Sequence, residues 1–249
     1  MKNGFALLER ILGCGNQTEQ NAGKLPNKFE IDMMPRRKKA FTLAEVLITL
    51  VIIGVIGALT VPSLIQNTQK QEYVSALKKV YSTLSQTANQ IIAAEGSPKG
   101  EYSWLTDSDA LYNMFKKYLN YAKDCGSGSG CFAPGTYKLR DGNYSNEDRF
   151  GPRKLALADG IIIGFYEISQ NCALNYIDYT GSEKVCAIIN VDINGHKKPN
   201  KWGVDAFTFV LKENGLYPSG CDNAEDLCIT RKNSFACACK VLREGAMNY

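Results

Sequence analysis

Histidine is almost absent from the 249 residues, since His196 is the only one. The sequence also lacks a nucleophile elbow, a glycine-rich phosphate loop ending in Lys-Ser or Lys-Thr, and a histidine-based metal motif. Cys237 and Cys239 are separated by one residue, which is not the C-x-x-C spacing of a redox enzyme. We therefore expect no catalytic residue and predict that the protein is not an enzyme.

A strong charge of one sign is also missing. The formal net charge is only +4, and the excess of cations falls within residues 1–40, so that residues 41–249 are formally neutral. A neutral body argues against nucleic-acid binding, and we expect no nucleic-acid partner. The content of 45% hydrophobic and 22% charged residues is that of a globular protein. It excludes collagen-like and wholly disordered chains.

Charge is absent altogether from Val46 to Gln69, and most of the first part of this run is apolar. A helix that rises about 1.5 Å per residue crosses a hydrocarbon core of about 30 Å with about 20 residues. The basic cluster at residues 36–39 precedes the run, so the positive-inside rule places the N-terminus in the cytoplasm and the later chain outside. The alternatives are a cleaved signal peptide and the core helix of a soluble protein. The run is longer than the apolar part of a signal peptide, and no clear A-x-A site follows it.

Glu45 lies at the edge of this apolar run. A carboxylate in lipid costs several kcal/mol unless it is paired, and the segment itself contains no cation that could pair with it. A cut after Ala40 would create an α-amino group on Phe41 and so supply the missing charge.

The residues around this position resemble the prepilin cleavage and methylation signal of type IV pilins and type II secretion pseudopilins. The similarity covers the basic cluster, the small residue Ala40, Phe41, Glu45 and the apolar helix. It implies that a membrane aspartyl peptidase cuts after Ala40 and methylates Phe41, and that Glu45 pairs with the N-terminus of a neighbouring subunit during filament assembly. Ala40 departs from the family pattern, in which glycine is usual.

Four segments are expected along the chain. Residues 1–40 are a leader that is removed, and translation is expected to begin at Met33 or Met34. Residues 41–69 form the transmembrane and assembly helix. Residues 70–95 continue it as an amphipathic helix, and residues 96–249 form an exported globular head. The continuation carries an apolar stripe at a spacing of three to four residues, made of Val74, Leu77, Val80, Tyr81, Leu84, Ala88, Ile91 and Ile92.

Pro62 lies inside this long helix and removes one backbone hydrogen bond, so we expect a kink there. Gly54 and Gly57 weaken the same region. The resemblance implies a segment that bends or unwinds when subunits pack into a filament. The alternative is that glycine and proline are simply common in membrane helices.

The head is expected to combine one helix with several strands. A helix is predicted over residues 107–121, and two strands at residues 154–158 and 161–168 flank the hairpin signal Asp159-Gly160. Further strands are predicted at residues 185–193, 206–211 and 235–242. The expected fold class is α+β, with a pilin-like long N-terminal helix packed on a small antiparallel sheet in a disulfide-rich head.

Nine cysteines are present, and one of them, Cys14, lies in the leader. Eight remain in the exported part, where an even number favours disulfides. Short loops suggest the pairs Cys125–Cys131 and Cys172–Cys186. Cys237 and Cys239 are expected to lie on one face of a strand. Each is therefore expected to form a disulfide with Cys221 or Cys228 and not with the other. The alternative is a zinc site made of the last four cysteines, although paired C-x₂-C knuckles are missing.

Residues 192–207 resemble a D-x-N-G…P-N-x-x-G-x-D-x-F pattern found in many pseudopilin-like proteins. Oxygen atoms of Asp192, Asn194, Asn200 and Asp205 could hold a calcium ion, the only cofactor that we consider, although the spacing is not that of an EF-hand. The alternative interpretation, which we favour, is a purely structural loop in which Asn194-Gly195 makes a turn and Asp205 caps backbone amides.

The resemblance implies a structural subunit of a type II secretion pseudopilus or a type IV pilus. The implied partners are prepilin peptidase, other pilin or pseudopilin subunits, the inner-membrane assembly platform and membrane lipid. The implied location is the inner membrane, crossed once, and then the filament. The alternatives are a monomeric membrane-anchored extracytoplasmic binding domain, which predicts an uncut chain, and an anchored exported enzyme, which the missing motifs disfavour.

Overall fold

The structure is a computed structural model, and it describes residues 41–174, 184–221, 227–230, 232 and 234–249. The predicted leader, with Cys14, Met33, Met34 and the residue before the cut, Ala40, lies outside the described residues. The chain divides into two units between Val51 and Ile52, and each is described by itself.

The first element is a helix, α1, which runs from Leu43 to Glu95 and includes Pro62. Its end is set by Gly96, whose φ of +88° leaves the helical region and whose N–H donates to the carbonyl of Ile92 at 3.0 Å. The predicted bounds of the helix, residues 41 and 95, therefore agree with the structure to within two residues.

The second half of α1 packs against the head through the apolar stripe expected from the sequence. Its buried residues share the spacing of one helix face and are Val74, Leu77, Val80, Leu84, Thr87, Ala88 and Ile91. Tyr81 is half-buried and stacks on Phe209 with the ring centroids 5.7 Å apart. An ion pair of 2.7 Å joins Lys79 to Asp159, so α1 also contacts the predicted hairpin turn.

The head contains α2 and a succession of short strands. Asp107 caps α2 by accepting the N–H of Ala110 at 2.7 Å. In chain order the elements are α2 (Ser108–Tyr118), β1 (Tyr121–Gly126), β2 (Tyr137–Lys138), β3 (Tyr144–Ser145), β4 (Arg153–Leu157), β5 (Ile162–Ile168), β6 (Ala187–Asp192), β7 (Ala206–Lys212), β8 (Gly215–Pro218), α3 (Leu227–Thr230) and α4 (Cys237–Glu244). Short 3₁₀ helices occupy Glu147–Phe150, Gln170–Cys172 and Ser234–Ala236.

Within the described ranges, six strands form one antiparallel sheet in the order β1-β4-β5-β6-β7-β8, and β2 pairs with β3. Every residue of the central strands β6 and β7 is buried. One face of these strands, with Ile189 and Phe209, belongs to the same core as Leu77 and Leu84 of α1. The predicted α+β fold, a long N-terminal helix packed on an antiparallel sheet, is confirmed.

The Asp159-Gly160 hairpin is confirmed, because β4 and β5 pair across it and Gly160 has a φ of +87°. The strand predicted at residues 235–242 is wrong, since this segment is the 3₁₀ helix Ser234–Ala236 followed by α4. The helix predicted over residues 107–121 is too long at its C-terminal end, where Tyr121 already belongs to β1. The strands β1, β2, β3 and β8 were not predicted.

Four disulfides lie in the head. They join Cys125 to Cys131, Cys172 to Cys186, Cys221 to Cys239 and Cys228 to Cys237. The first two are the pairs that the short loops suggested, and Cys237 and Cys239 each reach back, although from a helix and not from a strand. The zinc alternative is wrong, because its four cysteines are consumed in disulfides.

Candidate functional site

The N-terminal end of α1 carries a capping box formed by Thr42 and Glu45. The Thr42 N–H and hydroxyl donate to Glu45 Oε2 at 2.8 and 2.9 Å, and the Glu45 N–H donates to Thr42 Oγ1 at 3.2 Å. This reciprocal pattern satisfies two backbone donors that a helix end otherwise leaves open. Thr42 supplies Glu45 with hydrogen bonds but no positive charge, so the capping box does not provide the cation that the segment lacks.

Thr42 was not singled out from the sequence, although the T-x-x-E spacing that predicts a capping box is present there. Phe41, the residue expected to become the new N-terminus, is 85% exposed. Ala40 lies outside the described residues.

The first half of α1 exposes its apolar side chains. From residue 43 to residue 72 no residue is buried. The exposed apolar side chains include Leu43, Val46, Leu47, Ile48, Leu50, Val51, Ile52, Ile53, Val55, Ile56, Leu59, Val61, Leu64 and Ile65. Among the described residues, α1 is the one helix that is long and apolar enough to cross a membrane.

The hydroxyl groups of this half are satisfied by its own backbone. The hydroxyls of Thr49, Thr60, Ser63 and Thr68 donate to carbonyls three or four residues earlier at distances of 2.9 to 3.0 Å. Such back-bonding is what a polar group needs in lipid, where water is absent. The segment is therefore chemically suited to an apolar surrounding on all sides.

The structure does not test the kink. The helix α1 is assigned without interruption through Pro62, and a Cβ added at Gly54 or Gly57 would meet nothing within 4 Å. The bending of this region stays a prediction.

The loop between β6 and β7 brings the four candidate oxygen ligands into one neighbourhood. Asp205 accepts the N–H groups of Asn200 and Lys201 at 2.7 and 2.6 Å and the Asn194 side-chain amide at 3.2 Å. Gly195 turns the chain with a φ of +67°, and a Cβ there would lie 2.7 Å from the carbonyl oxygen of Gly160. Asn194-Gly195 thus forms the turn and Asp205 caps backbone amides.

Asp192 is fully buried at the start of the same loop. It accepts the N–H groups of Asn194 and Gly195 at 3.0 and 2.8 Å and the hydroxyl of Tyr137 at 2.6 Å. Burial raises the pKa of Asp192 to about 7, and the hydrogen bonds oppose this rise. Burial also raises the pKa of Asp205.

Three protein donors therefore bind each carboxylate. The side-chain Oδ1 atoms of Asn194 and Asn200 are buried and have no hydrogen-bond partner, and these are the oxygens that a cation could use. Within the described part of the chain, no three or more His, Cys, Asp or Glu residues are grouped to hold a metal. His196 is exposed, and its Nε2 lies 2.6 Å from the carbonyl oxygen of Cys131.

Comparison with known proteins gives a family match and a similar relative. Residues 35–61 match the family described as the prokaryotic N-terminal methylation motif. Over 53 residues the chain is 38% identical to the type II secretion system core protein G of Dickeya chrysanthemi, and this match covers 21% of this chain and 35% of that relative. No solved structure matches the chain.

The long apolar N-terminal helix packed on an antiparallel sheet is a pilin-like α+β fold. The family match and the relative agree with the resemblance to type IV pilins and type II secretion pseudopilins. The matched part spans about a third of the curated relative, so the role, partners and activity of the whole protein are proposals.

Proposed function

We propose that the protein is a structural subunit of a type II secretion pseudopilus or a type IV pilus. The observation that carries the proposal is the first half of α1, which overlaps the methylation motif over residues 43–61 and buries none of its apolar side chains in its own chain. A uniformly apolar helix is stable only where lipid or other helices cover it. Membrane lipid covers this helix before assembly, and neighbouring subunits cover it in the filament.

Maturation begins with hydrolysis of the Ala40–Phe41 peptide bond by prepilin peptidase. One methyl group then passes from a sulfonium methyl donor to the new α-amino group of Phe41, which releases the donor as a thioether and one proton from the amine. The amine keeps its positive charge and pairs with Glu45 of a neighbouring subunit. The pair neutralises two charges that would otherwise be costly in a membrane or between apolar helices.

The subunit waits in the inner membrane, crossed once, with its N-terminus in the cytoplasm and its head outside. The inner-membrane assembly platform then lifts it into the filament, where Pro62, Gly54 and Gly57 allow α1 to bend as it packs. The role is structural and not enzymatic. The alternative of a monomeric anchored binding domain predicts that Ala40 stays attached to Phe41.

The test is the intact mass and N-terminal sequence of the protein, expressed with and without a prepilin peptidase. We expect a peptidase-dependent terminus at Phe41 that is heavier by one methyl group. The matched variants are Ala40→Gly, which restores the usual residue and should be cut at least as fast, and Ala40→Leu, which should not be cut. An uncut native chain beside a cut Ala40→Gly chain would mean that this residue prevents processing, and the anchored-domain alternative would then hold.

The loop from Asp192 to Asp205 serves mainly to shape the head, and calcium binding is a second candidate, favoured by the two unpartnered amide oxygens of Asn194 and Asn200. A hydrogen-bonded loop predicts the same melting temperature of the head in calcium and in chelator. A saturable rise of several degrees in calcium, lost in an Asn194→Ala/Asn200→Ala variant, would establish calcium binding by linkage.

A further inference from the structure

The segment from His196 to Lys201 lies against α1 at Tyr73. The Tyr73 hydroxyl contacts the carbonyl oxygen of Lys198 at 3.4 Å, and the Asn194 amide reaches the same oxygen at 3.3 Å. Two backbone N–H groups of the segment are held by the buried carboxylate of Asp205. The backbone of this lysine-rich loop is therefore fixed next to the helix.

The contact lies where the membrane-spanning part of α1 ends. The apolar residues 46–65 account for about 30 Å of helix, and the uncharged polar residues 66–69 then match a headgroup layer of about 5–7 Å. Helical side chains lean towards the N-terminus, so the Tyr73 hydroxyl reaches back over the turn that contains Lys70. Tyrosine is also enriched at this depth of membrane proteins. The loop thus meets α1 just outside the headgroup layer, where a lysine side chain can reach back to the phosphate groups.

The lysine side chains near this contact are exposed to solvent. Lys197, Lys198 and Lys70 are exposed, and none of them belongs to an ion pair recorded among the described residues. Lys70 also lines a cavity of about 300 Å³ together with Asn67 and Gln71, and the other wall of the cavity is formed by residues 245–248. Glu72 is an exposed carboxylate nearby, whereas Asp192 and Asp205 are buried.

We infer that Lys197, Lys198 and Lys70 bind the phosphate groups of anionic phospholipids in the leaflet on the side of the head. This inference rests on the membrane-spanning role of α1 in the proposed function. An anionic membrane surface raises the ratio of bound to unbound states of each lysine side chain by about fivefold. The contact would hold the head at a fixed height above the membrane before assembly.

The experiment uses the purified full chain in vesicles of pure phosphatidylcholine and in vesicles that also contain phosphatidylglycerol. Flotation first establishes that the chain is in the membrane. The rate of lysine acetylation by a water-soluble reagent is then measured by peptide mass spectrometry. Lys99 and Lys117 are the internal controls, because they lie beyond the other end of α1, about 33 Å along the helix axis from Tyr73.

We expect acetylation of Lys197 and Lys198 to slow by about fivefold in the anionic vesicles, with Lys99 and Lys117 unchanged. The protection should disappear in about 0.5 M salt, where the Debye length is about 4 Å. In the double variant Lys197→Gln/Lys198→Gln, the anionic vesicles should protect Lys70 less from acetylation. Lys99→Gln should leave the protection of Lys70 unchanged.

Equal rates in both vesicles, with the chain floating in both, would overturn the inference and leave the membrane anchor intact. A chain that does not float would overturn both the anchor and the inference. Equal protection by inorganic phosphate added to phosphatidylcholine vesicles would identify a free anion and not the membrane as the ligand. Protection that follows protein concentration and not lipid charge would assign the loop to a second copy of the chain, and would also overturn the inference.

Discussion

Residues 43–69 and residues 70–95 of α1 share one continuous helical backbone, but only the second part is packed into the core of the head. The second part alternates apolar and polar residues with a helical period, and seven of its residues are buried. The first part is apolar on every side, and none of its residues is buried. Apolar content alone therefore does not direct a helix into the core of its own chain. A single apolar stripe matches one sheet, whereas an apolar surface all around requires lipid or other subunits.

The largest expected effect comes from Glu45, at the start of the first part. Glu45→Ala should abolish assembly while cleavage and the stability of the head stay normal, because the Glu45 side chain is exposed. Glu45→Gln is the matched control, since it can keep the hydrogen bonds to Thr42 but loses the charge. We expect it to fail as well, as judged by sheared filaments and by intact mass. Normal filaments from either variant would contradict the proposed pairing.

The contrast between the two parts can be measured directly with one substitution in each. Leu84→Ala, at a fully buried position, should lower the free energy of unfolding of the head by about 2–5 kcal/mol. Leu59→Ala, at a side chain that is 75% exposed, should leave it unchanged within about 0.5 kcal/mol. Urea unfolding in detergent followed by tyrosine and tryptophan fluorescence would measure both. Equal losses would mean that residue 59 also packs on the head.

Pro62→Ala tests whether filament assembly requires the local weakening of α1 that Pro62 causes. Restoring the missing backbone hydrogen bond should strengthen the local helix by about 1–3 kcal/mol. Amide exchange over residues 56–66 should then slow, with no change in residues 77–91. Filament yield should fall if bending is needed for packing. An unchanged yield together with slower exchange would leave Pro62 as an ordinary residue of a membrane helix.

The smallest effect concerns a surface carboxylate of the head. Hydrogen bonds from the Lys116 ammonium and the Tyr112 hydroxyl lower the pKa of Asp124 to about 2. Because this pKa is depressed in the folded state, the contribution is present above the ordinary value near 4 and is lost as pH falls through about 2. Asp124→Asn should flatten the loss of stability between about pH 4 and pH 2 by less than about 1 kcal/mol, since the group is partly exposed. Melting curves of both proteins against pH provide the measurement, and parallel curves would contradict the assignment.

The parts of the fold that repeat a regular pattern could be predicted from the sequence. The bounds of α1, its buried stripe and the Asp159-Gly160 hairpin each follow from local signals in a few residues. The segment at residues 235–242 could not be assigned, because a short apolar run with alternating small residues suits a strand and a helix equally well. In the structure the segment is helical, its two cysteines form disulfides with Cys221 and Cys228, and Val241 is buried in the core.

In the candidate sites, too, one part follows from local sequence signals and another part depends on residues that are distant in sequence. The capping box of Thr42 and Glu45 follows from the T-x-x-E spacing, which lies within four residues. The loop from Asp192 to Asp205 depends on Tyr137 and Tyr73, which are distant in sequence, so only the structure shows how its carboxylates are satisfied.

The connectivity of the disulfides sets a requirement on the order in which the head can be oxidised. A chain that emerges from its N-terminus presents Cys125 and Cys131, and then Cys172 and Cys186, as consecutive partners, so an oxidant that joins neighbours as they appear forms both bonds correctly. The last four cysteines are nested, with the Cys228–Cys237 bond inside the loop closed by Cys221–Cys239. The same oxidant would join Cys221 to Cys228 first, and only thiol–disulfide exchange could then give the native pairs. The C-terminal end of the head therefore needs either oxidation that waits for Cys239 or a reshuffling catalyst in the compartment that receives it.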